Sequence, residues 1–242
     1  MASAILAHLH NIRIDEIIFS EVMYEHKRGI SGEQPCHIKF IKEVAIPLLE
    51  SWGYKVTILH AKEDYLSCFN HVITNPKKHP ENKGKCSGFP KSGGKCTIKR
   101  DCKEKPISDY LASYKEDYFE YVGIGIDEPE RLETLHKCKN KASLLEMFSY
   151  TTTDARNLCK EYGLYSPSYQ LTRRNGCWFC CYSKLAEMQV VRKEYPDIFE
   201  EFVSLEDRDD LAGNKWNPYG KTLKQVEEAL FWEDRKLTIF DV

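Results

Sequence analysis

Apolar positions in the first sixty residues switch between helical and strand spacing. Ala4, Ile5, Leu6 and Leu9 recur on one helix face and predict a helix over residues 2–10. Ile17, Ile18 and Phe19 form a short β-prone run behind Asp15 and Glu16, which predicts a buried strand. Residues 29–35 are turn-rich. Ile38, Phe40, Ile41, Val44, Ala45, Leu48 and Leu49 return to helical spacing, with Pro47 as a kink point and Gly53 closing the helix. Residues 54–59 then alternate as a second strand. Helix, strand, helix, strand in this order predicts an α/β domain with a parallel sheet.

Periodicity stops between Thr74 and Gly94. A helix is expected over 106–113 and a strand over 118–126, the strand running into Asp127-Glu128-Pro129-Glu130-Arg131. Charged residues just past the carboxyl end of a strand are where open α/β sheets gather ligands. Residues 144–150 and 155–162 read as helices, the second capped by Thr152, Thr153 or Asp154. Residues 163–167 break the chain. Further helices follow near 182–194 and 222–236, with 237–240 as a terminal strand or tail.

The 242 residues allow one large domain or two small ones. A hydrophobic fraction of 42% excludes disorder as the main description, and a net charge of −2 shows no global basic excess to advertise nucleic-acid or anionic-membrane binding. Apolar runs are too short to span a bilayer and no secretory leader is visible, so a cytoplasmic protein without membrane association is expected. The charge is unevenly placed. Between residues 77 and 105, ten Lys and Arg stand against three Asp and Glu. Such a segment suits a clamp for a phosphate-bearing ligand, or equally a solvated loop.

Ten cysteines in a reducing compartment point to metal or redox chemistry rather than to disulfides. Cys36, Cys68 and Cys138 stand alone and read as small buried hydrophobes. Cys86, Cys96, Cys102, Cys159, Cys177, Cys180 and Cys181 are the chemical candidates. Cys177-Trp-Phe-Cys180 brings two sulfurs to one side of a short turn, which serves a metal, a redox dithiol or an inert pair. Further metal ligands would come from Cys159, Cys96 or Cys102. Arg173 and Arg174 immediately before the motif would lower thiol pKa and favour an anion nearby. The eight histidines show no catalytic spacing and read as structural or surface groups.

Four stretches carry a resemblance: IDEIIFSEVMYEH at 14–26, GFPKSGGKCTIKRDCKEKPI at 88–107, YVGIGIDEPERL at 121–132 and LCKEYGLYSPSYQLTRRNGCWFCC at 158–181. Together they resemble the phosphoadenosine phosphosulfate reductase family of the PP-loop (adenine nucleotide alpha-hydrolase-like) superfamily, in its bacterial or phage-encoded members. The resemblance implies a Rossmann-like parallel sheet with flanking helices over residues 1–135 and a Cys-rich helical part over 136–242. It implies adenine-nucleotide-dependent sulfur or adenylyl transfer, with ATP or a phosphosulfate analogue held by Lys99, Arg100, Lys103, Lys105 and Arg131. Asp127 and Glu128 would hold Mg²⁺ or pair with nearby cations. Cys96 (or Cys102), Cys159, Cys177 and Cys180 would hold a 4Fe–4S cluster or zinc.

Four departures qualify this expectation. Gly125 stands where relatives carry Arg, and Cys181 where they carry Pro. The residues at 238–242 include no cysteine of the kind the reductases use, which argues against thiol-dependent sulfate reduction. Relatives open with a strand and a Ser-Gly-Gly-Lys-Asp-Ser-type phosphate loop, whereas residues 1–6 match the helix that follows it, so the loop is expected to be missing. The rival expectation is a catalytically incomplete, metal-stabilised module of a phage or defence system, binding a nucleotide, a nucleic acid or a partner protein, with a homodimer as one possible assembly.

Overall fold

The computed structural model describes residues 1–92 and 95–239, so Gly93, Gly94, Phe240, Asp241 and Val242 of the stretches above lie outside the described residues. The first half contains α1 (Ala2–Leu9), β1 (Glu16–Glu21), β2 (Met23–Glu25), β3 (Ile30–Ser31), α2 (Pro35–Phe40), α3 (Ile46–Ser51), β4 (Lys55–His60), α4 (Tyr65–Phe69), β5 (Lys91–Ser92), β6 (Lys95–Cys96) and α5 (Lys105–Ala112). The second half contains β7 (Glu120–Val122), α6 (Pro129–His136), β8 (Lys141–Ser143), α7 (Leu144–Met147), α8 (Thr152–Glu161), α9 (Ser168–Leu171), α10 (Leu185–Glu194), α11 (Pro196–Ser204) and α12 (Leu223–Ile239). The chain is mixed α/β with small sheets. β7 and β8 pair in parallel, and β1 pairs with β4. The last residues of β1 and β4, Glu21 and His60, meet at 3.0 Å, so these two strands also run the same way.

Two compact units divide the chain. Unit 1 comprises residues 1–19, 36–59 and 107–169, and unit 2 comprises residues 20–35, 60–106 and 170–242. They interleave in sequence, and two of the unit boundaries fall inside β1 and β4. Among the described residues no helix is long and apolar enough to cross a membrane.

In unit 1, α1 packs against α7 and α8 through Ile5, Leu6, Leu144 and Leu158, and Phe40, Ile41 and Leu49 join the same core. The helix expected over 38–49 is interrupted by a π-helical turn at Ile41–Ala45, just before Pro47. Proline lacks the donor and its ring clashes with the carbonyl four residues back, so a widened turn lets the helix continue. The strand expected over 118–126 shortens to β7. The cap of α8 lies one residue earlier than expected: Thr151 accepts from the Asp154 N–H at 3.1 Å, and Asp154 accepts from the Thr151 N–H at 2.9 Å.

In unit 2 the core is aromatic. Tyr24, Phe69, Trp178, Phe202 and Trp216 are almost fully buried, and the Trp178 ring lies 4.7 Å from Tyr24 and 5.4 Å from Phe202. β2 and β3 form an antiparallel hairpin, and β3 lies within residues 29–35, where only a turn is expected. α4 and α11 are further helices not expected from the sequence: α4 has only five residues, whereas α11 carries Ile198, Phe199, Phe202 and Val203 at helical spacing. Residues 237–239 continue α12 rather than forming a strand.

Unit 1 also buries a carboxylate hub. Glu16 accepts from Lys55 at 2.7 Å and from Tyr110 at 2.9 Å, and also from Thr57 and Tyr114. Burial alone would raise its pKa, but the hydrogen bonds from Lys55, Thr57 and the two tyrosines outweigh it and hold the group at about 2, below its ordinary 4.5. A depressed carboxylate pKa contributes stability that is complete above 4.5 and lost as pH falls towards 2. Glu16→Gln is therefore expected to cost roughly 2–3 kcal/mol at pH 7. The gap to the parent should close progressively below pH 4.5 in denaturant titrations, and a gap independent of pH would exclude this hub.

Candidate metal centre

The Cys-x-x-Cys turn is held by its own aromatic residues. Trp178 and Phe179 between the two cysteines are 2% and 3% exposed, so the turn is pinned into the core at its middle. The Trp178 indole donates to the Ser31 carbonyl at 3.0 Å, and its backbone N–H donates to Gly32 O at 3.0 Å. Gly32 has no room for a side chain: a Cβ there would lie 2.7 Å from Val22 O and 2.9 Å from the Phe179 ring. An antiparallel bridge between Glu33 and Cys177 continues the contact. Cys180 N–H donates to Cys177 O at 3.1 Å and Ser183 N–H to Cys180 O at 2.9 Å, which tightens the turn.

Cys96 arrives from the other direction. It pairs with Lys91 across the β5–β6 ribbon and then enters a helical segment. Cys96, Cys177, Cys180 and Cys181 line one cavity whose remaining walls include Tyr65, Phe89, Ile98, Phe179 and Trp216. Three of the four cysteines expected as ligands are thus brought to one place, with Cys181 as the fourth thiol. Cys181 is among the chemical candidates of the sequence but not in the expected ligand set, where its neighbour Cys180 completes the Cys-x-x-Cys spacing. Among the described residues, no three Cys, His, Asp or Glu side chains stand at the mutual spacing of a bound metal ion.

The cavity distinguishes its thiols. Cys96 is lowered to about 6 by a hydrogen bond from the Cys181 thiol; burial opposes this, and the Lys99 and Ile98 amides and the Lys99 charge assist it. Cys181 is raised because its proton is committed to Cys96 and because it is buried. Burial raises Cys177 well above the ordinary range, and the nearby Glu33 carboxylate adds to this. Glu33 is itself raised by burial, against the opposing charge of Lys103. Arg174 points a guanidinium N–H at the Cys180 sulfur at 3.7 Å and is fixed by Glu187 at 3.0 and 3.2 Å.

The other expected site residues divide between the units. Cys159 belongs to unit 1, buried in its apolar core with Leu158 and Leu164, and the thiol group in unit 2 forms without it. Lys99, Arg100, Lys103 and Lys105 belong to unit 2, whereas Asp127, Glu128 and Arg131 belong to unit 1. The expected loop around Lys99–Glu104 is a π-helical turn leading into α5. Lys99 pairs with Glu104 at 3.1 Å, Arg100 with Asp101 at 2.7 Å and Arg131 with Glu128 at 2.5 Å. Asp127 accepts from the Thr152 N–H at 2.7 Å and from its hydroxyl at 3.0 Å. A Cβ on Gly125 would meet Asp127 Oδ1 at 2.5 Å and Thr152 N at 2.8 Å, so the Arg found here in the resembling family would disturb this arrangement.

Sequence spacing also missed the pairing of His60 with the fully buried Glu21 at the carboxyl ends of β4 and β1. The two lie 39 positions apart, and only strand pairing joins them. No family model, curated protein or solved structure matches this chain.

Asp127 is engaged at the start of α8, whatever ligand approaches it. Asp127→Ala is expected to lower stability through the lost acceptor at the start of α8. Denaturant titration measures this, and an unchanged midpoint would remove the assignment.

Proposed function

We propose that this chain carries a four-thiolate metal centre in unit 2 and serves adenine-nucleotide-dependent sulfur or adenylyl transfer on a Rossmann-like, PP-loop-type fold. The observation that carries the reading is the gathering of Cys96, Cys177, Cys180 and Cys181 around one aromatic-walled cavity. The donor types suit the group, though their sulfurs do not stand at the mutual spacing of a bound ion: four sulfurs suit tetrahedral zinc or a 4Fe–4S cluster, and an apolar shell excludes water from either. When bound, zinc would cross-link the two segments and a cluster would add electron transfer. Cys96 is already held as a thiolate by Cys181 and the two amides, so it is the pre-organised ligand. Arg174, braced by Glu187, orients toward Cys180 and balances its charge.

Support for the nucleotide comes from the resemblance, and from the Glu21–His60 pair at the carboxyl ends of two parallel strands. One observation favours the rival, a metal-stabilised binding module. Lys99, Arg100 and Arg131, expected to neutralise phosphate or sulfate, each lie against a carboxylate.

Protein purified anaerobically is expected to contain either iron with equimolar sulfide and a visible thiolate–iron band, or one zinc and no colour. Cys177→Ser and Cys180→Ser should lose the metal and Cys159→Ala should keep it. Metal-free parent protein, or loss of metal in Cys159→Ala alone, would overturn the ligand set. Calorimetric titration with ATP and with phosphoadenosine phosphosulfate separates the two functional readings. The transfer reading expects saturable binding, and no heat at millimolar ligand leaves the binding module.

A further inference from the structure

In unit 2 the basic segment at residues 71–88 is a built loop. Its arms are tied by Ile73 N–H to Lys85 O and by Gly84 N–H to Ile73 O, each at 2.9 Å. Asn82 N–H donates to His79 O at 3.0 Å and Lys83 N–H to Pro80 O at 3.1 Å, which closes the tip. At the base, Cys86 bridges Val72 on one side and Leu211 on the other. Cys86 is buried and clamped there: its N–H donates to Asp210 O at 2.8 Å, its thiol donates to Asp210 Oδ2 at 3.2 Å, and its sulfur accepts from Arg208 at 3.1 Å. The tip this base holds up is wholly polar. From Thr74 to Lys85 the chain has no Phe, Tyr, Trp or aliphatic side chain other than proline. Lys77, Lys78 and Lys83 are exposed and, among the described residues, in no ion pair. Glu81, the single carboxylate of the segment, is taken up by His79 at 3.1 Å and by the charge of Lys85.

We propose that this loop binds the backbone of a nucleic-acid duplex through Lys77, Lys78 and Lys83. Three like charges on an anchored loop repel one another, and a row of phosphates supplies the counter-charge that the loop itself lacks. A lysine ammonium is a compact point charge suited to phosphate oxygens, and the neighbouring Thr74 and Asn75 are residue types that donate to phosphate and sugar. A lipid surface fits less well, because segments that lie on membranes carry Trp, Phe or Leu to enter the acyl boundary. Unpaired bases also fit less well, because they need aromatic rings to stack on. A duplex keeps its bases stacked and offers its backbone alone. The net charge of −2 is no obstacle, since charges more than about 10 Å away are largely screened at physiological salt. The loop requires neither the thiol cavity nor a bound nucleotide, so it stands whether or not the metal centre exists.

The test is fluorescence anisotropy of the full chain with a labelled duplex of about 20 base pairs, titrated between roughly 50 and 200 mM salt. DNA and RNA duplexes run in parallel, and the tighter of the two names the helical form that is bound. Saturable binding is expected, its association constant falling with salt at a log–log slope of about −2.7 or steeper, roughly −0.9 for each of three phosphates. Lys77→Ala, Lys78→Ala and Lys83→Ala should each make the slope shallower by about 0.9, and the triple variant should bind at least about tenfold more weakly at the low-salt end. All three sit on the exposed tip, so the parent circular dichroism should persist. Lys137→Ala, on α6 of unit 1 and paired with Glu133, should change neither affinity nor slope. Any one of four results would overturn the proposal: no saturable binding at the low-salt end, parent affinity and slope in the triple variant, tighter binding of the separated strands than of the duplex, or tighter binding of phosphatidylserine vesicles at equal phosphate concentration.

Discussion

The burial of Trp178 organises unit 2. Its ring fills the aromatic core, its indole N–H satisfies Ser31 O, and its backbone N–H satisfies Gly32 O. One side chain therefore fixes the hairpin β2–β3, the extended Glu33 segment and the Cys-x-x-Cys turn relative to one another. Removing a buried aromatic of this size from a core typically costs roughly 3–5 kcal/mol, more than any single surface ion pair in the unit. Hence the turn geometry is set by packing, and the cysteines inherit it. Gly32 is the necessary counterpart, because no other residue allows Phe179 and Val22 O so close.

The two prolines at 47 and 106 impose a matching constraint. Each follows a π-helical turn, at Ile41–Ala45 and at Lys99–Glu104. Widening the helix there accommodates a residue that has no N–H and whose ring would strike the preceding turn. In unit 2 the widened turn is where Cys102 enters the core, with Cys96 at its approach.

Long periodic segments were legible from the sequence: α1, the helix around Ile41, α8, α10 and α12 all lie where spacing put them. Short elements were not. β2, β3, α4 and β8 offer too few positions for a period to register, and they form because the core around them demands it. Within the candidate site, the Cys-x-x-Cys and Cys96 were legible as chemistry because their residue types are rare and clustered. For Asp127 and Glu128 the sequence left a metal ion and a nearby cation open as partners, and Glu128 pairs with Arg131. Charge in sequence advertises a ligand and an internal ion pair in the same way, and only Thr152, brought near by folding, shows how Asp127 is engaged. Cys159 illustrates the converse, since a helical cysteine 18 positions before Cys177 looked like a ligand and sits in an apolar core.

The thiols of the cavity are not equivalent, and this determines how the centre would respond to protons. Cys96 is stabilised as an anion by donors that are already in position. Cys177 and Cys181 are held protonated by burial, by Glu33 and by each other's neighbours. Each must release a proton before it can act as a thiolate ligand, so ligation in this cavity is coupled to proton loss. Glu33, raised by the same burial against the charge of Lys103, is bridged through its backbone to Cys177 and is a buried carboxyl group able to take such a proton. Packing therefore supplies the geometry of the site, while the order in which its sulfurs become ligands is set by which of them the surrounding amides and carboxylates leave charged.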